Sequence, residues 1–302
     1  MQYHKIGSSD LEASSLGMGC VTFGREIERE TCFDVMDRAI ERGITLFDTA
    51  EAYASGASET VLGQWIAERG VRDRIVLATK VSGTLTKQRV ISSAEESLRR
   101  LQTDRIDLFQ LHVWDNTTPL EESLAALTTL VEQGKVRAIG CSNWSAWQLS
   151  KALLLIQAGG FAPMQSVQPP YNLVQREIET DLLPLCADQN IGVLSYSPLG
   201  AGFLTGKYRR GQEVPKGTRF DVIPGHQPIY FTDHGYRVLE RMDEAAARSG
   251  RSMVQLALSW VLSRTNTTSV LIGARHPAQV DQAFEAESAG LETELQELLD
   301  VS

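Results

Sequence analysis

The sequence carries no excess of basic residues: 29 Lys and Arg stand against 38 Asp and Glu, a net charge of −9. The pI is about 5.2. This argues against non-specific binding to nucleic acid or to an anionic membrane, since both need a basic face. Long apolar runs are also missing, and none approaches the roughly 18 residues of a spanning helix. The opening residues MQYHKIGSSD contain no apolar signal region, so a cytoplasmic protein is expected. Four cysteines, Cys20, Cys32, Cys141 and Cys186, include no CxxC pair and read as reduced packing residues. The five histidines, His4, His112, His226, His234 and His276, show no HExxH or comparable spacing, so no metal site is expected. Three familiar loops fail in detail. GAGFLTGKY has Ala201 where a phosphate-binding GxxxxGK[ST] loop needs glycine, and Tyr208 after the lysine. GMGCVT (17–22) misses the last glycine of GxGxxG, and GCSNW (140–144) is not GxSxG.

What is present is a steady alternation of strand and helix signals. RIVLATK (74–80), IDLFQLH (106–112), VRAIGCS (136–142), MQSVQ (164–168), GVLSYS (192–197) and SVLIGA (269–274) read as strands, as do SSLGMG (14–19) and ITLFDT (44–49). Helical patterns fall at about 30–43, 58–69, 88–101, 119–134, 145–157, 176–189, 233–248 and 252–264, with a helix beginning near Pro277. Strand ends at Asp48, Lys80 and His112 are 32 residues apart, the length of one βα unit. Eight such units with nearly continuous apolar strands predict an α/β fold, a closed (β/α)8 barrel of the TIM type, over a single domain of residues 1–302. An N-terminal β-hairpin is expected to plug the barrel floor. A long loop follows the seventh strand, the irregular stretch 203–232, expected to close over a ligand. The tail LETELQELLDVS reads as a helix.

Functional groups in such barrels come from the C-terminal ends of the strands. Read in order, those ends carry Asp48 with Tyr53 nearby, Lys80, His112, Ser142 with Asn143, Gln168, and Tyr196 with Ser197. For any one of them a solvated rim residue is the plainer reading. Across successive strand ends, a convergent site is favoured. Neighbouring strands lie about 4.8 Å apart, so Asp48 and Lys80 can pair. A lysine held there beside the Tyr53 hydroxyl would lower the phenol pKa, and His112 could bond the same substrate oxygen. This suits proton delivery to a carbonyl oxygen while a cofactor supplies hydride, which no side chain can donate. The rim aromatics Phe23, Trp114, Tyr171, Phe220, Tyr230 and Phe231 could line an apolar substrate pocket, with core packing an equal alternative for Phe220 and Phe231.

The segments FDTAEAY, ATK, LFQLH, IGCSN, QPPYN, YSPLGAGFLTGKY and LIGAR, in this order, resemble the aldo-keto reductase superfamily over residues 2–285. The resemblance implies NADP(H) binding without a Rossmann fold and ordered 4-pro-R hydride transfer to an aldehyde or ketone. It implies Tyr53 as acid, Lys80 as its tuner, Asp48 as partner of Lys80 and His112 as carbonyl orienter. It places Ser142, Asn143 and Gln168 on the nicotinamide carboxamide and Tyr196 against the ring. Ser197, Leu199, Gly202 and Lys207 would line the pyrophosphate, and Gly273, Arg275 and Gln279 the adenosine end, with Arg275 on the 2′-phosphate. Gln282 and Ala283 depart from the family's frequent Glu-Asn beside the expected adenine site. The expected partner is a small carbonyl compound; no nucleic acid or membrane partner is expected, and an oligomer is compatible with the sequence. Two other readings stand beside the reductase. One is an NADP(H)-binding regulatory subunit with little turnover, as the resemblance to potassium-channel β subunits allows. The other is an aldolase using Lys80 as a Schiff base, which pairing with Asp48 disfavours because the charged form is not nucleophilic.

Overall fold

The computed structural model describes residues 1–264 and 267–300. Among the described residues ten strands run in chain order: β1 (Tyr3–Lys5), β2 (Glu12–Ser14), β3 (Leu16–Gly19), β4 (Leu46–Asp48), β5 (Val76–Val81), β6 (Ile106–Leu111), β7 (Val136–Ser142), β8 (Met164–Gln168), β9 (Gly192–Ser195) and β10 (Ser269–Ile272). β3 to β10 are all parallel and close into a barrel, with β10 pairing both β9 and β3. The helices are α1 (Arg29–Glu41), α2 (Ala57–Arg69), α3 (Lys87–Leu101), α4 (Leu120–Glu132), α5 (Ala146–Gly159), α6 (Leu182–Asp188), α7 (Arg219–Val222), α8 (Gln227–Tyr230), α9 (Asp233–Ser249), α10 (Met253–Leu262), α11 (Pro277–Ala289) and α12 (Thr293–Asp300). The expected (β/α)8 barrel with an N-terminal hairpin is the observed architecture.

Alternation along each strand sorts its side chains. Leu46 packs with Val76, Ala78, Leu108, Ala138, Leu194 and Leu271 inside the barrel, whereas Phe47 belongs to the layer between strands and helices. Asp48 therefore faces inward again, one layer above Leu46. The β1–β2 hairpin closes the floor, because buried Ile6, Leu11 and Ala13 complete that inner apolar cluster. Gly7 makes this closure possible. Its φ is +60°, and a Cβ there would lie 2.5 Å from the Gln165 carbonyl oxygen.

Helix starts follow local chemistry. Thr86 caps α3 by accepting from the Arg89 amide, and Ser145–Gln148 and Ser252–Gln255 form capping boxes on α5 and α10. The pattern at 176–189 divides. A 3₁₀ turn at Glu177–Glu179 precedes a short α6, whose third residue is Pro184. Proline is tolerated only in a first turn, where its missing N–H needs no partner, so the helix begins just before it. The tail helix α12 is anchored by Asp300, which accepts from Trp260 Nε1 at 2.8 Å and pairs with Arg176 and Arg264. The last two residues of the tail lie outside the described residues.

The stretch after the seventh barrel strand is less irregular than its composition suggests. It contains short helical turns at Gly200–Thr205, Pro224–His226, α7 and α8, pinned by buried aromatics. Phe203 stacks near-parallel with Tyr208 and Tyr230, and Phe220 meets Tyr208 edge-on. This corrects the rim-aromatic reading: Phe23, Tyr171, Phe220 and Tyr230 are buried in the core and cannot line a pocket. Large rings with few polar atoms are worth more out of water than on a rim. All four cysteines are free and buried. Among the described residues no helix is long and apolar enough to cross a membrane, and no group of three or more His, Cys, Asp or Glu is placed to hold a metal ion.

Candidate active site

The site lies where inward-facing positions reach the C-terminal ends of the strands. β4 and β5 pair with Asp48 opposite Ala78, so Lys80 stands one pleat higher on the neighbouring strand. Its side chain is 0% exposed and reaches Asp48 Oδ2 at 2.5 Å, the Thr49 carbonyl oxygen at 2.8 Å and Tyr53 Oη at 3.4 Å. The other oxygen, Asp48 Oδ1, accepts from Gln168 Nε2 at 2.9 Å and from Gln110 Nε2 at 3.5 Å. A buried ion pair is tolerable only when its remaining hydrogen-bond capacity is met, and here both carboxylate oxygens are occupied. Burial draws the Lys80 pKa down, but Asp48 and Tyr53 outweigh it and the net direction is upward. The lysine stays charged.

Tyr53 follows β4 in a tight turn. Ala54, Ser55 and Gly56 take φ of 49°, 53° and 90° in succession, three left-handed residues that reverse the chain into α2. Two of them carry a Cβ, so the backbone is strained immediately after the tyrosine. The expected lowering of the Tyr53 pKa is overturned. Burial raises it, Asp48 adds to that, and the Lys80 charge at 3.4 Å offsets only part. The phenol is held as a proton donor across neutral pH. His112 lies edge-on to Tyr53, with ring centroids 5.7 Å apart. Burial and the Lys80 charge push its pKa down to about 4, with Glu51 opposing, so the imidazole is neutral at pH 7.

The residues expected at the nicotinamide form a connected shelf beside this cluster. Ser142 Oγ donates to the Gln168 carbonyl oxygen at 2.9 Å. Asn143, at φ 59°, donates to the His112 carbonyl oxygen at 2.9 Å and accepts from Tyr196 Oη at 2.7 Å. Ser197 is also left-handed, at φ 56°, and its carbonyl oxygen is held by Asn172 Nδ2 at 3.1 Å. Leu199 packs against the outer core, and Gly202, at φ 91°, has only Lys207 near its missing Cβ. Farther out, Lys207 is exposed, and its pKa is lowered by partial burial and by the nearby Arg275 charge. Gly273 is exposed, with no atom within 4 Å of the point where a Cβ would stand. Gln279 Oε1 accepts from the Arg275 amide at 2.7 Å.

The structure thus brings Asp48, Tyr53, Lys80, His112, Ser142, Asn143, Gln168 and Tyr196 together, with Lys207 and Arg275 forming a second, cationic end. Sequence reasoning misses Glu26. Its carboxylate, in the loop after β3, meets Arg25, Arg219 and Arg275 at once. Nothing in the local sequence marks it, because the contact spans 249 residues. Gln110, Glu51 and Ser82 escape it too, although each lies in or beside a strand-end motif.

A parallel barrel with titratable groups gathered at its C-terminal rim defines the class of (β/α)8-barrel enzyme scaffolds. The model of the aldo/keto reductase family matches residues 15–300, and the chain belongs to that family. Over 298 residues it is 35% identical to the aldo-keto reductase YhdN of Bacillus subtilis, covering 94% of this chain and 88% of that protein. It is 33% identical to the uncharacterized oxidoreductase YrpG of the same organism, covering 99% and 95%. It is 32% identical to a probable voltage-gated potassium channel subunit beta of Arabidopsis thaliana, covering 95% and 91%. Family membership makes this protein an oxidoreductase of small carbonyl compounds, with a nicotinamide cofactor as the family's general hydride source.

Proposed function

We propose that this protein reduces an aldehyde or ketone to an alcohol with NADPH, as a single barrel domain working in the cytoplasm. The observation that carries the reading is Lys80, fully buried, reaching Asp48 and Tyr53 at once. The residues fit the cofactor. Two cations, Lys207 and Arg275, are near enough to repel, as suits an anion site, Gly273 has open space beside it, and Gly202 has only the Lys207 side chain. Ser142, Asn143, Gln168 and Tyr196 would hold the nicotinamide, Ser197, Leu199, Gly202 and Lys207 the pyrophosphate, and Gly273, Arg275 and Gln279 the 2′-phosphorylated adenosine. When bound, such a cofactor would supply the hydride for the carbonyl carbon.

The protein's own residues handle the proton. Tyr53 Oη donates to the carbonyl oxygen, and the Lys80 charge stabilises the tyrosinate left behind. Asp48 fixes Lys80 in its charged form, and its Gln168 and Gln110 contacts keep the carboxylate from turning away. Neutral His112 gives a hydrogen bond to the same oxygen without delivering charge. Water returns a proton to Tyr53 after release. The test is NADPH oxidation with a panel of aliphatic, aromatic and sugar carbonyls. Turnover of any class supports the reading. Tight NADPH binding with no turnover would instead favour a cofactor-binding regulatory subunit.

A further inference from the structure

His112 is neutral, so only one of its ring nitrogens carries a proton, and which one decides what it can do. A carbonyl oxygen accepts hydrogen bonds and offers none, so the nitrogen that meets it must be N–H. The neighbouring strands settle what the other nitrogen meets. Val81 pairs with Leu111 between β5 and β6, and the His112 amide donates to the Val81 carbonyl oxygen at 2.9 Å. Ser82 and His112 are therefore opposite each other, and by alternation with Lys80 and Gln110 both face inward. Ser82 Oγ lies 3.0 Å from His112 Nδ1. Among the described residues Ser82 Oγ has no other partner, and His112 Nε2 has none.

Ser82 is itself held from behind. Its amide donates to Glu51 Oε1 at 2.8 Å. Ser93 Oγ donates to Glu51 Oε2 at 2.6 Å, and Arg89 pairs with the same carboxylate. A serine whose backbone is fixed by a largely buried carboxylate keeps its hydroxyl in one place at little entropic cost.

We propose that Ser82 is a positioning residue: its hydroxyl donates to His112 Nδ1 and holds the imidazole as the Nε2–H tautomer. The choice of Nε2–H rests on the reductase reading given above, because a serine hydroxyl can either donate to Nδ1 or accept from it; the Ser82–His112 contact itself does not. With the opposite tautomer, Nε2 would present a lone pair to the substrate oxygen and repel it.

Two-bond ¹H–¹⁵N correlation spectra of the whole protein at pH 7 report the protonated nitrogen. We expect Nε2–H in the unmodified protein, a mixture of tautomers in Ser82→Ala, and recovery in Ser82→Thr. In turnover, Ser82→Ala should lower kcat by roughly 3- to 10-fold, the weight of one neutral hydrogen bond, with KM for NADPH unchanged. An Nδ1–H signal in the unmodified protein overturns the proposal, and so does an unaltered tautomer or an unaltered kcat in Ser82→Ala. If no carbonyl is turned over by the unmodified protein, the reductase reading fails, and the spectra alone still decide the role of Ser82.

Discussion

At the barrel rim Lys80 is 0% exposed and bonded on three sides, whereas at the cationic end Arg275 is 47% exposed and held by a surface carboxylate, Glu26. The first region is assembled by backbone register. Asp48, Lys80 and His112 sit on or just past the ends of successive strands whose pairing fixes their spacing; Asp48 and Lys80 are shielded from water and His112 is half-buried. The second is assembled by side chains reaching across loops, where water and salt compete. A preorganised charge in a dry cavity is what a chemical step needs, because nothing has to reorganise when charge develops. A ligand phosphate can complete a wet, exchangeable site on arrival. On the proposed reading, chemistry and cofactor choice would sit in regions of unequal burial.

The contrast can be broken by variants in either region. Lys80→Met should have the largest effect, since it strands Asp48 in the barrel and removes the charge under Tyr53. A loss of about 3–5 kcal/mol of stability is expected from breaking a buried pair, together with near-complete loss of turnover. Denaturant unfolding checks the first, and a variant as stable as the parent would show that the rim is not held by this pair. Tyr53→Phe should lower turnover by about 10²- to 10⁴-fold while NADPH affinity stays put, as read by fluorescence titration. Near-normal turnover would remove Tyr53 from the proton's path.

At the cationic end smaller changes are expected. Arg275→Ala should weaken NADPH by about 10- to 100-fold, the worth of one charge-assisted contact, and leave NADH almost unaffected. Equal NADPH and NADH affinities in the unmodified protein would end the case for Arg275. Glu26→Gln should act in the opposite direction. It frees Arg275 and Arg219 from a competing anion, so NADPH should bind up to about five-fold tighter, the range of an exposed ion pair. Weaker binding would mean that Glu26 helps the site rather than competing with it. A separate effect concerns pH. The unfolded chain protonates His112 near pH 6.5, whereas the folded protein does so only at about 4. Protons therefore favour the unfolded state between these values, and this contribution to stability is lost as pH falls from 6.5 towards 4. Replacing His112 with Gln should flatten that part of the stability profile.

The rim is legible in the sequence because parallel register turns a 32-residue spacing into adjacency. Asp48, Lys80 and His112 need only strand ends to be placed. Two features resist. The direction of the Tyr53 shift depends on how deeply the ring sits, which no spacing reveals, so a visible lysine outweighs an invisible burial. The aromatics of the 203–232 stretch look like lining because their loop positions are apparent and their stacking on Phe203 is not. Glu26 lies beyond reach for a third reason: a contact closed by barrel curvature between the first and last βα loops leaves no local pattern.

The four cysteines acquire a meaning from the chemistry proposed above them. Aldehydes and quinones are electrophiles, and a protein that gathers them exposes its own nucleophiles to alkylation. Thiolate, not thiol, is the reactive form. Burial raises the pKa of Cys20, Cys32 and Cys141, and lifts that of Cys186 to about 12. Cys20 lies nearest the reacting groups, its amide bonded to the Asp48 carbonyl oxygen at 2.8 Å, and the Asp48 charge raises its pKa further. The native fold therefore keeps all four cysteines as inert thiols, so a thiol reagent should label the folded protein only as fast as it unfolds, and tolerance of reactive substrates would be a property of the packed core.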